Sequence, residues 1–159
     1  MRTMQRRGFL ARLAGLAAVG VAGPRLWAQL RRGLTLTPIT VYKSSTCGCC
    51  TKWVDYLRAN DFAPEVQDNE EMEALKDEMG VPRGVRSCHT GIVDKYLIEG
   101  HVPASDIRRL LAERPKTAGL AVPGMLPLTP GMAPEGAKPK DFDVVSFQPD
   151  GSTRLFSRH

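Results

Sequence analysis

The sequence predicts an α/β fold for one domain that follows an N-terminal export signal. Three observations predict this class. Segments rich in β-branched and aromatic residues alternate with segments of helical periodicity, a cysteine-rich turn follows the first predicted strand, and two more strands are predicted near the end of the chain. A chain of 159 residues can bury one ordinary core and is too short for two.

The excess of positive charge lies at the N-terminal end. Five of the 22 basic residues and none of the 17 acidic ones fall in residues 1–28, which leaves 17 basic and 17 acidic residues in the rest of the chain. The net charge of +5 is therefore a property of this segment alone. Because the remainder is neutral, there is no electrostatic case for binding nucleic acid.

The same N-terminal segment has the pattern of an export signal. The paired arginines in Arg6-Arg7-Gly8-Phe9-Leu10 resemble a twin-arginine signal, and the apolar run 13–22 is too short to span a bilayer stably. An uncleaved membrane anchor is the alternative. We expect a twin-arginine-type signal peptide over 1–28, with cleavage after Ala22 or Ala28, a linker over 29–38, and a periplasmic domain over 39–159 without a stable membrane span.

The first strand leads directly into the cysteines. Residues 39–42 are β-branched and aromatic, and the polar turn 43–46 leads into Cys47-Gly48-Cys49-Cys50. These cysteines are therefore predicted at a strand-to-helix turn and in the first turn of the helix. The inner face of that helix is predicted by apolar residues at positions i, i+3, i+4 and i+7, namely Cys50, Trp53, Val54 and Leu57.

A second strand and a second helix follow. Residues 63–67 are predicted as the strand, and Asp68 with Glu71 predicts a capping pair for a helix that Gly80 ends. The helix is expected to turn three apolar residues toward the core, namely Met72, Leu75 and Met79.

An antiparallel hairpin over residues 90–93 and 96–98 comes next, followed by a third helix over 105–114. The order β-α-β-α-β-β-α, with a C-x-x-C turn after the first strand, is that of a thioredoxin-like domain.

The last part of the chain differs in composition. Residues 118–139 are rich in Pro, Gly and Ala without stable periodicity, and this predicts a loop rather than core. Within this segment Pro123-Gly124-Met125 recurs as Pro130-Gly131-Met132. Residues 142–147 and 153–156 predict a C-terminal β-hairpin. The predicted fold is thus a thioredoxin-like domain with a Pro/Gly/Met-rich loop and a C-terminal β-hairpin.

The four cysteines are compatible with three kinds of site. A structural disulfide would need only two of them, and only a bridge to Cys88 would close a long loop. Cys47 and Cys50 form a C-x-x-C motif at a helix N-terminus, as in a periplasmic thiol–disulfide oxidoreductase, although Cys49 adds an unwanted exchange partner. The third kind is a soft metal site. Thiolates favour Cu(I), Zn²⁺ or iron–sulfur clusters, and thioethers point toward copper.

Six segments of the chain carry a resemblance to a known family. They are Tyr42-Lys43-Ser44, Thr46-Cys47-Gly48-Cys49-Cys50, Lys52-Trp53-Val54, Ser87-Cys88-His89-Thr90, 98–103 and 119–125. Together they resemble the CopG family of periplasmic copper-resistance proteins, and the resemblance covers the chain from about residue 39 to the final hairpin. It implies copper bound through the cysteines, with Cys47, Cys49, Cys50 and Cys88 as the copper thiolates.

Other candidates are weighed on their own chemistry. His89 follows Cys88 directly, and a role at a metal site explains it as well as a place in a loop does. For His101, capping or packing is at least as good an explanation as a catalytic role. Met125 and Met132 are candidate copper ligands because they share a repeated loop setting. His159 is predicted to be disordered.

The sequence therefore predicts an exported copper-binding protein of copper resistance. Its copper ligands would be Cys47, Cys49, Cys50, Cys88, His89, Met125 and Met132. Its predicted partners are copper ions and other periplasmic copper-handling proteins, with no nucleic acid. Interconversion of Cu(I) and Cu(II) is a further hypothesis, which leaves open whether the protein is an enzyme. The alternative is a thiol–disulfide oxidoreductase that uses Cys47 and Cys50.

Overall fold

The computed structural model describes residues 36–159. The predicted signal peptide and the first part of the predicted linker lie outside these residues. The described part contains seven strands: β1 (Thr37–Lys43), β2 (Phe62–Asp68), β3 (His89–Val93), β4 (Tyr96–Glu99), β5 (Gly119–Ala121), β6 (Asp143–Phe147) and β7 (Thr153–Arg158). It also contains three α-helices, α1 (Gly48–Arg58), α2 (Met72–Glu78) and α3 (Ala104–Glu113), and a 3-10 turn at Arg83–Val85. No helix within residues 36–159 is long and apolar enough to cross a membrane.

The strands form a single mixed sheet in the order β2-β1-β3-β4-β5-β6-β7. β1 and β2 pair in parallel across α1, as a βαβ unit requires, and β3 is antiparallel to both β1 and β4. This arrangement of the first four strands is thioredoxin-like, which confirms the predicted fold class. The predicted C-terminal hairpin is also confirmed, since β6 and β7 pair antiparallel at the edge of the sheet.

The predicted inner face of α1 is correct. Its four apolar residues are all buried, and the Trp53 indole N–H donates to the Val102 carbonyl at 3.0 Å. This bond satisfies the polar atom of a fully buried ring. α1 therefore packs against the core through this face, and its first turn places the cysteines at the edge of the core.

The prediction of a loop over residues 118–139 is wrong at its start, because Gly119–Ala121 forms β5 in the middle of the sheet. β5 pairs in parallel with β4 and antiparallel with β6, and all three of its residues are buried. Position 119 must be glycine, since an added Cβ would lie 1.9 Å from the Leu97 carbonyl oxygen. Three residues are too few to show a periodicity, so only the pairing reveals this strand.

The predicted core face of α2 is only partly correct. Met72, Leu75 and Met79 are half-buried, and Met79 packs against a small core cluster, but the residue of α2 that is fully buried is Lys76. Asp68 does not cap the helix, because it ends β2 and accepts from the Lys43 ammonium at 2.9 Å. A buried lysine on a short helix requires a partner, and Glu99 at the end of β4 is that partner.

The prediction that His159 is disordered is also wrong. Its ring stacks on Phe142 with the centroids 4.9 Å apart, and its Nε2 lies 2.7 Å from an Asp106 carboxylate oxygen. The backbone N–H of His159 donates to the Phe142 carbonyl. Through these contacts the chain end packs against Phe142, just before β6, and against Asp106 on α3.

Candidate metal centre

Three of the four cysteines lie where β1 passes into α1. Cys47 is the N-cap residue with an extended backbone, and its sulfur forms a disulfide with Cys50, which lies one turn into the helix and is fully buried. Cys49 is a free, half-buried thiol whose Sγ lies 3.5 Å from that of Cys47. The predicted position of these residues at a strand-to-helix turn is correct.

Cys88 reaches the same place from the neighbouring strand, β3. It precedes β3, which pairs with β1 so that His89 lies opposite Lys43 at the end of β1. Antiparallel pairing therefore brings the residue before β3 next to the turn that follows β1. The sulfur atoms of Cys47, Cys49, Cys50 and Cys88 all lie within 4.8 Å of one another.

Two histidines extend this cluster around Cys88. The Cys88 Sγ lies 3.3 Å from His89 Nδ1 and 3.2 Å from His101 Nε2, and the three residues form a second group of mutually close ligand atoms. Both rings are buried and meet edge to face with their centroids 5.0 Å apart. His101 comes from the segment between β4 and α3, and only its place in the family motif 98–103 could have identified it from the sequence.

The hydrogen bonds of His101 determine which of its nitrogens faces the sulfur. Its Nδ1 lies 2.7 Å from the Pro130 carbonyl oxygen, which can only accept, so Nδ1 carries the proton. The lone pair of Nε2 then points at Cys88. A carbonyl that fixes the tautomer in this way is the usual support of a histidine that binds a metal.

His89 has one unpaired polar atom. Its Nε2 is buried and has no hydrogen-bond partner among residues 36–159, while its ring packs on Trp53 with the centroids 4.3 Å apart. Buried polar atoms are nearly always satisfied, so this nitrogen is an exception, while the other ring nitrogen, Nδ1, is the one that faces the Cys88 sulfur. The donor set of the site, sulfur and imidazole nitrogen, fits a soft or borderline metal ion.

Burial keeps these groups neutral when no cation is near. Burial and the neighbouring Cys49 raise the pKa of the Cys88 thiol to about 12. Burial also lowers the pKa of both His89 and His101. A metal ion that binds here must therefore displace thiol protons, while it finds the imidazoles already deprotonated.

The two Pro-Gly-Met repeats approach the cluster from the loop after β5. In the first repeat the Gly124 carbonyl accepts from the Ser87 hydroxyl at 2.5 Å, beside Cys88. In the second, Gly131 lies so close to α1 that an added Cβ would be 2.7 Å from the Trp53 backbone nitrogen. The loop is thus anchored on both sides of the site. The Met132 side chain is half-buried, whereas Met125 is 58 % exposed.

Comparisons with known proteins agree with this geometry. A family model described as "Protein of unknown function, DUF411" matches residues 85–132, which include Cys88, both buried histidines and the two Pro-Gly-Met repeats. No curated protein matches the chain. Two solved structures of copper resistance protein CopG, termed form 1 and form 2, are each 38 % identical to it, with a TM-score of 0.70. Each alignment covers 78 % of this chain and 98 % of the CopG chain. The chain therefore belongs to the CopG family of copper resistance proteins.

Proposed function

We propose that this protein binds copper as Cu(I) through its cysteine cluster and serves copper resistance outside the cytoplasm. The observation that carries the proposal is the convergence of four cysteine sulfurs within 4.8 Å of one another. Thiolates are soft ligands and favour Cu(I) among the biological first-row metals. The similarity to proteins titled copper resistance protein supports copper over zinc.

The ligands we propose fall into two overlapping groups. The first is the sulfur group, in which adjacent Cys49 and Cys50 diverge from a helix turn and are better suited to bridging several Cu(I) ions than to chelating one. The second surrounds Cys88 and adds the imidazoles of His89 and His101. Cys88 belongs to both groups and would link them. Met125 and Met132 are proposed as additional thioether ligands from the anchored loop.

Binding at the first group depends on the oxidation state of its sulfurs. The Cys47–Cys50 disulfide must take up two electrons and two protons from a thiol reductant before both sulfurs can act as thiolates. In the opposite direction, two thiols can give one electron to each of two Cu(II) ions. This forms the disulfide and two Cu(I) ions and releases two protons. The site is thereby proposed to interconvert the two oxidation states of copper.

A thiol–disulfide oxidoreductase is the second candidate function, and the Cys47–Cys50 disulfide at the start of α1 favours it. In such an enzyme the more exposed Cys47 would be the sulfur attacked by a substrate thiolate, since Cys50 is fully buried. The free thiol of Cys49, 3.5 Å from Cys47, would compete for the mixed disulfide. That competition makes copper binding the better supported function.

The place of action is part of the same proposal. The twin-arginine-type pattern in residues 6–10 supports export to the periplasm, and this route delivers proteins that are already folded. Other periplasmic copper-handling proteins are then the proposed partners. Fusion of residues 1–35 to a reporter that is active only in the periplasm tests export, with Arg6→Lys/Arg7→Lys as the variant expected to abolish it.

Anaerobic titration of the fully reduced chain with Cu(I), in competition with a chromophoric Cu(I) chelator, tests the function. We expect more than one tightly bound copper per chain by elemental analysis, and loss of most of it in Cys49→Ser/Cys88→Ser. This variant keeps the C-x-x-C pair, so an oxidoreductase would retain its insulin-reducing activity. Fewer than one copper per chain, together with retained reductase activity, would refute the copper proposal in favour of the second candidate.

A separate comparison tests the loop methionines. Replacing Met125 and Met132 together by leucine should weaken Cu(I) retention, because leucine keeps the apolar volume but has no sulfur ligand. The matched control is Met72→Leu/Met79→Leu, which replaces two methionines by leucine at the first residue and at the C-cap of α2. Equal affinities in the two double variants would show that the loop methionines are not ligands.

A further inference from the structure

The pair Lys76 and Glu99 is the most deeply buried ion pair in the described chain, with side chains 1 % and 0 % exposed. Lys76 lies on α2 and Glu99 ends β4, so the ion pair links a helix to the sheet. The carboxylate also accepts from the Thr90 hydroxyl at 2.7 Å and from the Ser87 backbone N–H at 2.6 Å. The ammonium donates to the Ser87 carbonyl at 2.7 Å.

Every hydrogen bond of these charged atoms within residues 36–159 is therefore either to the other charge or to a residue that flanks Cys88. Ser87 precedes Cys88, and both its N–H and its C=O are held, while Thr90 follows two residues later. The Ser87 hydroxyl is occupied too, because it donates to Gly124 in the first Pro-Gly-Met repeat. The backbone around Cys88 is thus held from α2, from β4 and from the loop.

Stability alone does not account for such a pair. Two buried charges lose their hydration, and apolar residues of similar volume usually give a fold that is equally stable or more so. A fully satisfied buried network does, however, select one backbone arrangement over its neighbours. Burial raises the pKa of Glu99, and the nearby Lys76 ammonium and the hydrogen-bond donors oppose that shift.

We propose that Lys76 and Glu99 are a positioning pair, which holds the Ser87 backbone before Cys88 and the Thr90 hydroxyl after it, so that the Cys88 sulfur faces Cys49 and the imidazole of His101. The consequence for copper rests on the proposed function. The consequence for sulfur geometry does not, because it concerns the position of one thiol relative to another in the metal-free chain.

Two neutral double variants of the full chain isolate this role. Lys76→Met/Glu99→Leu removes both charges and the two hydrogen bonds that the pair makes with the Ser87 backbone. Lys76→Met/Glu99→Gln also removes both charges, but keeps an amide oxygen that can accept from the Ser87 N–H. The matched control is Arg158→Met/Asp143→Leu, which removes an exposed ion pair of 2.7 Å on the C-terminal hairpin.

The first measurement needs no metal. With the Cys47–Cys50 disulfide left intact, the rate at which dibromobimane bridges Cys49 and Cys88 reports how well the two free thiols face each other. We expect bridging to slow about tenfold in the leucine variant, in line with the loss typical of supporting contacts. It should slow less in the glutamine variant, which loses the Lys76 bond to the Ser87 carbonyl but keeps an acceptor for the Ser87 N–H, and stay near the parent rate in the control variant. Equal rates in all four proteins, or equal slowing in both Lys76 variants, would overturn the proposal.

The second measurement is Cu(I) affinity in the reduced proteins, which we expect to fall about 10–100-fold in the leucine variant, less in the glutamine variant and not in the control. If the parent chain binds no Cu(I), the proposed function fails, while the bridging rates still decide the positioning role. Circular dichroism checks that each variant folds. If the leucine variant does not fold, Thr90→Val decides instead, because it frees one carboxylate oxygen and leaves both charges in place. Slower bridging in Thr90→Val supports the pair, and an unchanged rate overturns it.

Discussion

Gly100 is the position where a single methyl group should disturb both the fold and the metal centre. It follows β4 with a φ of +73°, a region that side chains disfavour. An added Cβ would lie 2.6 Å from the Ser87 hydroxyl oxygen, 2.7 Å from the Ser87 Cβ and 2.7 Å from the Val122 carbonyl oxygen. Because all three separations are below any normal contact distance, Gly100→Ala must displace Ser87 or Val122, the residue that follows β5.

The expected loss of stability has two parts. The left-handed backbone costs about 1–2 kcal/mol for any residue with a Cβ. Overpacking of the kind seen at Ser87 and Val122 adds about 1–3 kcal/mol. The sum, about 2–5 kcal/mol, is a large share of the roughly 5–15 kcal/mol by which domains of this size are stable.

Urea unfolding of the metal-free chain measures this loss, and Gly136→Ala is the matched control. Gly136 has a φ of +78° and nothing within 4 Å of the added Cβ, so the control carries only the backbone cost. Gly100→Ala should therefore be the more destabilising by about 1–3 kcal/mol. Equal losses in the two variants would refute the argument that the close approach to Ser87 is what requires glycine.

Three further predictions follow from the buried histidines and the chain end. Because the pKa of His89 and of His101 is lowered in the fold, the unfolded chain takes up protons first as the pH falls. Metal-free stability should thus be full above about pH 6.5 and fall below it by up to about 1.4 kcal/mol per pH unit for each histidine, which urea unfolding at several pH values measures. His101→Gln removes the nitrogen facing Cys88 and should lower Cu(I) affinity by about 10–100-fold in chelator competition, and an unchanged affinity would contradict its place among the ligands. His159→Ala leaves the buried Asp106 carboxylate without this partner and should cost about 1–2 kcal/mol in thermal or urea unfolding, whereas disorder of the chain end would make it neutral.

Local patterns were sufficient for most of the fold. The periodicity of Cys50, Trp53, Val54 and Leu57 identified the buried face of α1, because residues on one face of a helix recur three and four positions apart in the sequence. The same spacing misled at α2, where Lys76 is buried instead of the methionines. A lysine can be buried only if a carboxylate meets it, and the partner lies on a strand 23 residues away along the chain.

The candidate site, too, was predictable from the local sequence only in part. The cysteine turn and its place at the start of α1 followed from local spacing. For His101 the local sequence favours capping or packing at least as much as a catalytic role, because nothing nearby in the sequence shows that its Nε2 lies 3.2 Å from the Cys88 sulfur. The short strand β5 also escaped detection, since three residues carry no pattern.

By itself, the sequence determined which residues could carry soft-metal chemistry, where the first helix would begin, and that the excess charge belongs to the N-terminal segment. These are properties of composition and of spacing over a few residues. The family resemblance already grouped Cys88 with the other three cysteines, and His89 was a predicted ligand. Tertiary structure alone decided the distances between the sulfurs, the place of His101 beside Cys88, and the buried ion pair next to it. Those contacts arise from pairing between β1 and β3 and from packing of α2 on the end of β4, and such pairing depends on chain segments far apart in sequence.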